Sequence, residues 1–261
     1  MKVRPWIWWL WVAVTLIFGG LSLQLAGKLR TGYEQQLSDR IWPRLARPVT
    51  FVISGGTNFD HTVLLFGDSR IQEWKIIPPA GIRIINAGMP GATTAELRFK
   101  LPEVLDEFQP DCLVLQAGIN DLKLLGIQPG ISNELTSLVF TNLVVMADLG
   151  RAHHCQVILT SVWPVASPEL ARWFVWNQVV PDSIDVVNQQ LFTAGPHFKN
   201  IQILDLFSEP GISANKKTYR DALHLRPETY GKLTPLLNAE LEKLLSNKPA
   251  TQSTKTNSPG N

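Results

Sequence analysis

Cysteine and surplus charge are both scarce in this chain of 261 residues. Its two cysteines, Cys112 and Cys155, are too few for a disulfide scaffold and too far apart for a zinc or redox motif, and the sequence leaves open whether they pair. The 24 Lys and Arg residues exceed the 22 Asp and Glu residues by only two. Because a polyanion-binding protein carries a larger basic excess, we expect no nucleic-acid partner.

Charged residues make up 18% of the chain and hydrophobic residues 45%. This apolar content excludes a chain that is disordered throughout, and it is too low for a protein with many membrane spans. No internal repeat is visible, and the length allows one or two domains at roughly 150 residues each. The bulk of the chain is therefore predicted to be a soluble globular domain.

One long apolar run lies near the N-terminus. Residues 5–27 carry no charge, and roughly 20 apolar residues span a bilayer as a helix. We interpret residues 1–28 as a single-pass membrane anchor, because the run exceeds the apolar core of about 7–15 residues in a secretory signal. Tryptophans, which favour the membrane interface, occupy its first turns at positions Trp6, Trp8, Trp9 and Trp11.

A cleaved secretory signal stays open as the alternative, since Gly20, Leu21 and Ser22 resemble a small-residue cleavage site. Either interpretation sends the rest of the chain to a membrane. Lys28 and Arg30 make the downstream flank basic as well, which opposes export under the positive-inside rule. The location that we favour for the globular domain is nevertheless outside the cytoplasm.

Two segments border the globular domain. Residues 29–60 mix polar residues with prolines and glycines without a sustained period, and we interpret them as a stalk. Residues 247–261 consist mainly of small polar residues, Lys and Pro, and we predict a disordered tail there. The domain itself is assigned to residues 61–246.

Short apolar runs of strand length recur through this domain, and none shows the alternation of a half-solvated strand. Helix-like segments separate them, as in a parallel sheet that is covered on both faces. The sequence therefore predicts one three-layer α/β domain with a five-stranded parallel sheet. The predicted strands are Thr62–Phe66, Ile82–Ile85, Cys112–Gln116, Val157–Ser161 and Ile201–Leu206.

Helix signals follow several of these strands. Thr93 and Glu96 form a capping box that starts a helix, and we expect Pro102 to kink or shorten it. Further helices are predicted over Ser132–Leu149, closed by Gly150, and over about 184–192 and 227–246. The long connection 165–182, which contains Trp173, Phe174 and Trp176, is either a lid that faces an acyl chain or a satellite hydrophobic cluster.

Polar residues gather where the predicted strands end, and open α/β sheets bind their ligands at this edge. Asp68 and Ser69 follow the first strand, Gly88 follows the second, and Asn120 follows the third. We expect these three loops to converge. Because a Gly-Asp-Ser sequence suits any turn, the interpretation depends on its position at a strand end.

A serine nucleophile needs a base, and one of the five histidines is placed to act as one. His224 follows the last strand and its loop, with Asp221 three residues before it. At this spacing the carboxylate can accept the Nδ1 proton while Nε2 faces the serine. The alternative is that Asp221 caps a turn and that His224 is a surface residue.

Acyl transfer also requires hydrogen-bond donors to the tetrahedral oxyanion. Gly88 allows its backbone N–H to approach a substrate, Asn120 can present its side-chain amide, and the backbone N–H of Ser69 is a third candidate. The alternative is purely structural: Gly88 as a turn glycine, and Asn120 with Asp121 as a helix cap.

The order of these motifs resembles the SGNH hydrolases, also called GDSL esterases, over roughly residues 61–246. The resemblance implies a single-domain, flavodoxin-like α/β fold that needs no metal or cofactor. It also implies a catalytic triad of Ser69, His224 and Asp221, an oxyanion hole of Ser69, Gly88 and Asn120, and support of the nucleophile loop by Asp68. The matching segments are Gly67-Asp68-Ser69, Gly88, Gly118-Ile119-Asn120-Asp121 and Asp221-Ala222-Leu223-His224.

Two residues depart from the family pattern. Ala222 replaces a frequent glycine, which is a small change, and Arg70 stands where leucine is expected. We expect Arg70 to pair with Asp68 or Glu73 at the surface. The alternative is that this cation favours an anionic substrate.

Together these features predict a membrane-tethered serine esterase that works through an acyl-enzyme. The sequence leaves open whether the substrate is an acyl lipid such as a lysophospholipid or an O-acetylated glycan. An O-acyltransferase of the same fold and a non-catalytic module that binds an acylated ligand are the alternatives. The oligomeric state is not determined by the sequence.

Overall fold

The computed structural model describes residues 5–41, 48–166, 178–209 and 212–246. Most of the aromatic connection predicted as a lid, and the predicted tail, lie outside these residues. In chain order the elements are α1 (Pro5–Ile41), β1 (Val52–Ser54), β2 (His61–Gly67), α2 (Ser69–Glu73), β3 (Ile82–Gly88), α3 (Thr94–Phe108), β4 (Cys112–Gln116), α4 (Ile119–Leu122), α5 (Ser132–Ala152), β5 (Gln156–Thr160), α6 (Val179–Ala194), β6 (Ile201–Leu204) and α7 (Pro227–Leu245). Short 3-10 helices lie at Lys123–Gly126, Pro129–Ile131 and Gly195–His197.

The strands form one sheet in the order β1-β3-β2-β4-β5-β6. The last five strands of the chain run parallel, and their order corresponds to the flavodoxin-like order 2-1-3-4-5. The prediction of five strands is corrected to six, because β1 pairs antiparallel with β3 at the edge. This strand lies in the segment interpreted as a stalk. Val52 and Ile53 are exposed, so β1 lacks the buried apolar pattern that revealed the other strands.

The sheet separates two apolar cores, and for this reason its strands appear in the sequence as continuous apolar runs. In β2, Leu64 and Phe66 point to the core that includes α3, α5 and α6, whereas Val63 and Leu65 point to the core that includes α7. Side chains of successive strand residues alternate between faces, so a strand that is covered on both faces is apolar throughout. The predicted three-layer arrangement is confirmed.

Two helix boundaries differ from expectation. The capping box at Thr93 and Glu96 is present, but α3 continues past Pro102 to Phe108. Gly150 does not close α5, which continues to Ala152. A Cβ at Gly150 would lie 2.6 Å from Leu113 Cδ2, so the glycine allows α5 to approach β4 closely.

Both cysteines are buried free thiols. Cys112 begins β4, and Cys155 precedes β5 with its Sγ 3.1 Å from the carbonyl oxygen of Pro110. Each therefore packs as a small apolar side chain inside the domain.

Among the residues that the structure describes, two helices are long and apolar enough to cross a membrane. One spans residues 129–152 and includes α5; 44% of its most apolar window is buried, because α5 covers the sheet. The other is Trp11–Gly32 within α1, and none of its window is buried. Of the two, α1 is therefore the candidate for a membrane span.

The carboxyl end of β2 is the topological switch point of the sheet. From β2 the chain passes through α2 to β3 on one side, and then through α3 to β4 on the other side. Open α/β sheets bind their ligands at such a point, beyond the carboxyl ends of the strands.

Candidate active site

The Gly-Asp-Ser sequence forms the turn between β2 and α2. Gly67 ends the strand, where any Cβ would collide with the backbone oxygen of Gln116 in β4. Asp68 is the N-cap of α2, and its Oδ1 accepts the N–H of Arg70 at 2.9 Å. Ser69 is the first residue of α2, directly beyond the end of the strand. Each residue of the motif thus has a local reason for its position.

The structure brings Ser69, His224 and Asp221 into one chain of hydrogen bonds. Ser69 Oγ lies 3.0 Å from His224 Nε2, although the two residues are 155 positions apart in the sequence. His224 Nδ1 lies 2.8 Å from Asp221 Oδ2. This geometry allows the base to accept a proton from the nucleophile while the carboxylate orients the ring.

Asp221 is held in its charged form by its own loop. Its Oδ1 accepts the backbone N–H of Leu223 at 2.7 Å and that of His224 at 2.9 Å. Partial burial would raise the pKa of Asp221, but the bonds from these amides and from the His224 ring outweigh it and lower the pKa to about 2. The ionised carboxylate accepts the Nδ1 proton at neutral pH, which leaves Nε2 as the acceptor that faces Ser69.

Arg70 connects the nucleophile turn to the loop that carries His224. Its side chain is only 1% exposed, so the interpretation of Arg70 as a surface residue is wrong. Glu73, the other expected partner, bonds instead to Arg220 at 3.0 Å. Arg70 donates to the carbonyl oxygens of Leu223 (from Nε, 3.0 Å), Trp163 (from Nη1, 2.7 Å) and Pro164 (from Nη2, 2.9 Å).

Asp68 lies beneath the turn and is fully buried. Burial raises the pKa of this carboxyl, while the nearby charge of Arg70 and the bond from its backbone N–H oppose the increase. Its Oδ2 has no hydrogen-bond partner among the described residues. Asp68 therefore shapes the turn through Oδ1.

Asn120 lies at the start of α4, next to the loop that follows β3. Its Nδ2 donates to the carbonyl oxygen of Ala92 at 3.0 Å. An amide nitrogen carries two hydrogens, so this bond orients the side chain and leaves a second donor for a substrate. The structure thus joins the second and third strand-end loops, as the sequence predicted.

Gly88 does not offer its backbone N–H to the site. This N–H donates to Asn86 Oδ1 at 3.0 Å. A Cβ at Gly88 would collide with the backbone nitrogen of Gln72, so the glycine lets β3 approach α2. The prediction of Gly88 as an oxyanion donor is corrected on this ground. The signal was present in the sequence, because an Asn side chain often bonds the backbone two residues on.

Sequence reasoning missed the part that Asp121 plays beneath Asn120. Asp121 is fully buried and accepts the backbone N–H of Thr94 at 2.9 Å and its hydroxyl at 2.7 Å. Burial raises its pKa to about 7, although the bonds from Thr94 oppose the increase. Asp121 therefore fixes the start of α3, 27 residues away in the chain, rather than capping its own helix.

A serine, a histidine and a carboxylate bonded in series are the arrangement found in serine hydrolases of several unrelated folds. Within the described ranges, no three His, Cys, Asp or Glu side chains come together as a metal site requires. The chain belongs to the GDSL-like lipase/acylhydrolase family, whose sequence pattern matches residues 65–232. It is a carboxylic-ester hydrolase.

Several proteins of known name are similar to this chain. An arylesterase of Vibrio mimicus is 22% identical over 213 residues, which cover 75% of this chain and 95% of that protein. A GDSL-like lipase from Bacteroides thetaiotaomicron shares the fold with a TM-score of 0.56 at 20% identity, over 83% of this chain and 98% of the other. An acetylxylan esterase from Geobacillus stearothermophilus, solved as a catalytic mutant, gives a TM-score of 0.54 at 16% identity, over 70% and 95% of the two chains.

Proposed function

We propose that this protein is a membrane-tethered serine esterase with Ser69 as nucleophile, His224 as base and Asp221 as its partner. The observation that carries the proposal is the pair of hydrogen bonds from Ser69 Oγ through the imidazole to Asp221. These three side chains meet at the switch point of the sheet, the place where open α/β sheets bind their ligands.

The geometry supports a reaction in two halves. His224 Nε2 takes the Ser69 hydroxyl proton as Oγ attacks the ester carbonyl carbon, and the tetrahedral intermediate then expels the alcohol, which receives that proton. In the second half, His224 removes a proton from water, the hydroxide attacks the acyl-enzyme, and the carboxylic acid leaves as Ser69 regains its proton. Asp221 stabilises the imidazolium in both halves.

Two donors are proposed for the oxyanion. Ser69 supplies its backbone N–H, and Asn120 supplies the second hydrogen of Nδ2. The carbonyl oxygen of Ala92 accepts the first hydrogen of Asn120 Nδ2 and so orients this amide.

The membrane tether is assigned to α1. Its side chains at Trp8, Trp9 and Trp11 are largely exposed, as are the leucines of the following turns. A helix whose apolar window is exposed on all sides favours a bilayer. We also propose that the globular domain lies outside the cytoplasm.

For the substrate we propose carboxylic esters of acyl lipids or of O-acetylated glycans. The named relatives include an arylesterase and an acetylxylan esterase. Both kinds of ester react at the same carbonyl group, so the triad serves either.

Hydrolysis of p-nitrophenyl esters from acetyl to long acyl chains, with the full chain in detergent, tests this function. We expect Ser69→Ala to lower kcat by about 10⁴-fold or more, while Ser208→Ala, which removes an exposed hydroxyl, leaves kcat unchanged. Full hydrolysis by Ser69→Ala would refute the mechanism. Serine-dependent transfer to a sugar acceptor without hydrolysis would identify an acyltransferase, and ligand retention without turnover a binding module.

A further inference from the structure

α1 contacts the globular domain at the carboxyl end of the sheet, which carries Ser69 and is here called the catalytic end. Arg30 Nη2 donates to the carbonyl oxygen of Ile127 at 2.9 Å. Ile127 directly follows the 3-10 helix Lys123–Gly126, which continues from α4 and its Asn120. α1 also packs against α3, α4 and this 3-10 helix. Because α4 begins beyond the carboxyl end of β4, this contact lies at the same end of the sheet as Ser69.

The apolar residues of α1 before this contact are not covered by the domain. None of the apolar window in Trp11–Gly32 is buried. After α1, the first residue of β1 also lies towards the carboxyl end of the sheet, because Val52 pairs with Asn86, two residues before the end of β3.

The distance along α1 places the contact at the depth of lipid headgroups. Gly27 ends the charge-free run, and Arg30 follows it by three residues, about 4.5 Å of helix at 1.5 Å per residue. A bilayer of about 40–45 Å with a core of about 30 Å has roughly 5–8 Å of polar interface on each side. Ile127, bonded to Arg30, therefore lies at the boundary between the domain and the bilayer.

We propose that the catalytic end of the sheet faces the bilayer that holds α1, and that the substrate is an acyl ester of a lipid in that interface. This inference rests on the proposed esterase function and deepens it by choosing between the two substrate classes. The ester group of a membrane lipid lies at the interface, so a site that opens there meets lipid esters without their leaving the membrane. An O-acetylated glycan strand that extends away from the bilayer lacks this advantage.

Orientation can be measured without any activity. Glu134 and Asp148 are both exposed acidic residues of α5, with Glu134 near the catalytic end and Asp148 14 residues further along, about 21 Å. Each is replaced by Cys and labelled with a fluorophore in the full chain, since the native thiols are buried. In phosphatidylcholine vesicles that contain a doxyl-labelled quencher lipid, we expect several-fold stronger quenching at position 134. Equal quenching, or stronger quenching at 148, would overturn the orientation.

The substrate class is tested with lysophosphatidylcholine in the same vesicles and p-nitrophenyl acetate in solution. We expect Arg30→Ala to lower lysolipid hydrolysis about 2- to 10-fold, as the loss of one hydrogen bond does, and to leave p-nitrophenyl acetate hydrolysis unchanged. Lys28→Ala removes a neighbouring charge of the same sign and is the matched control. Equal effects of the two variants on lysolipid hydrolysis would attribute the loss to membrane charge and overturn the inference.

The two proposals fail in distinguishable ways. Wild-type protein that hydrolyses p-nitrophenyl acetate but not the lysolipid in vesicles would overturn the lipid substrate and leave the esterase intact. Protein that hydrolyses neither ester, yet is folded, would overturn the esterase itself.

Discussion

At the scale of single residues, the charge of Asp221 is set by its own loop. The two amides that bond to Oδ1 come from the next three residues, so the turn that presents His224 also keeps its partner ionised. The three-residue spacing between Asp221 and His224 therefore sets the position and tautomer of the imidazole as well as the charge of the carboxylate.

The charge of Asp221 is tested by Asp221→Asn, which preserves the size of the side chain and its acceptor oxygen. Without the carboxylate, the imidazole loses its fixed tautomer and the stabilisation of its protonated form, and we expect kcat to fall by about 10⁴-fold. Circular dichroism should show that the variant is folded. Wild-type kcat in the folded variant would exclude the assigned role.

Arg70 is the residue that most clearly couples distant parts of the site. Replacing it with Met keeps the aliphatic stem but leaves the buried carbonyl oxygens of Leu223 and Trp163 without this donor, whereas that of Pro164 keeps its bond from the Tyr219 hydroxyl. We expect a loss of about 3 kcal/mol in the free energy of unfolding and a lower kcat with little change in KM, because the Leu223 carbonyl positions the His224 loop.

Arg70→Lys provides the graded comparison, since one ammonium group cannot reproduce the planar fork of a guanidinium. Its kcat should lie between those of the wild type and Arg70→Met. Unchanged kcat in a folded Arg70→Met variant would show that Arg70 serves stability alone.

The buried carboxyl of Asp121 predicts a dependence of stability on pH. Its folded-state pKa of about 7 lies above the ordinary value of 3.8, so between pH 4 and 7 the folded chain keeps a proton that the unfolded chain has released. The free energy of unfolding should therefore fall as pH rises through this window, by at most about 1.4 kcal/mol per pH unit from this group.

Urea unfolding of the full chain in detergent across this window measures the effect. Asp121→Asn should show a smaller slope, because an amide does not titrate while the buried Asp68, whose pKa is also raised, still contributes, whereas Asp148→Asn at an exposed position should keep the full slope. A parallel pH dependence in wild type and Asp121→Asn would contradict the assignment.

At the scale of elements, the site depends on the close approach of β3 to α2. Gly88→Ala would push a methyl group into the backbone of Gln72, and overpacking of this kind costs roughly 1–3 kcal/mol or more. We expect the variant to unfold at lower urea concentration and to lose activity as α2 shifts Ser69. Gly130→Ala is the control, since a Cβ there meets nothing within 4 Å; equal stability of both variants would contradict the packing role.

Local sequence signals predicted the presence of helices and strands better than the residues at which these elements end. The capping box at Thr93 and the apolar run of β4 depend on neighbours in the sequence, and both are confirmed. Pro102 and Gly150 were given local roles that the structure does not bear out. For Gly150 the reason is its contact with Leu113 across the sheet, which no window around residue 150 contains.

At the scale of the whole molecule, the proposed membrane tether α1 would set where the enzyme works. We expect the full chain to remain in the membrane fraction after an alkaline carbonate wash, because a helix with an exposed apolar surface over Trp11–Gly32 inserts into the bilayer. Mass spectrometry of the purified chain should find the N-terminus intact. A chain that begins near Ser22 and is released by the wash would identify a cleaved signal.

The sequence by itself determined the class of fold, the family and the chain of Ser69, His224 and Asp221. Continuous apolar runs reveal strands that are covered on both faces, and parallel strands must present their carboxyl ends, with the residues that follow, at one edge of the sheet. These are local patterns, and they can be read along the chain.

Only the tertiary structure decided the edge strand β1, the burial of Arg70, the packing role of Gly88 and the meeting of α1 with the catalytic end. Each depends on a partner remote in sequence or on the approach of two backbones: Arg70 on Leu223, Gly88 on Gln72 and Arg30 on Ile127. Hydrogen bonds and steric limits act through space, so residues that suit a surface or a simple turn in the sequence acquire their function only once the chain has folded.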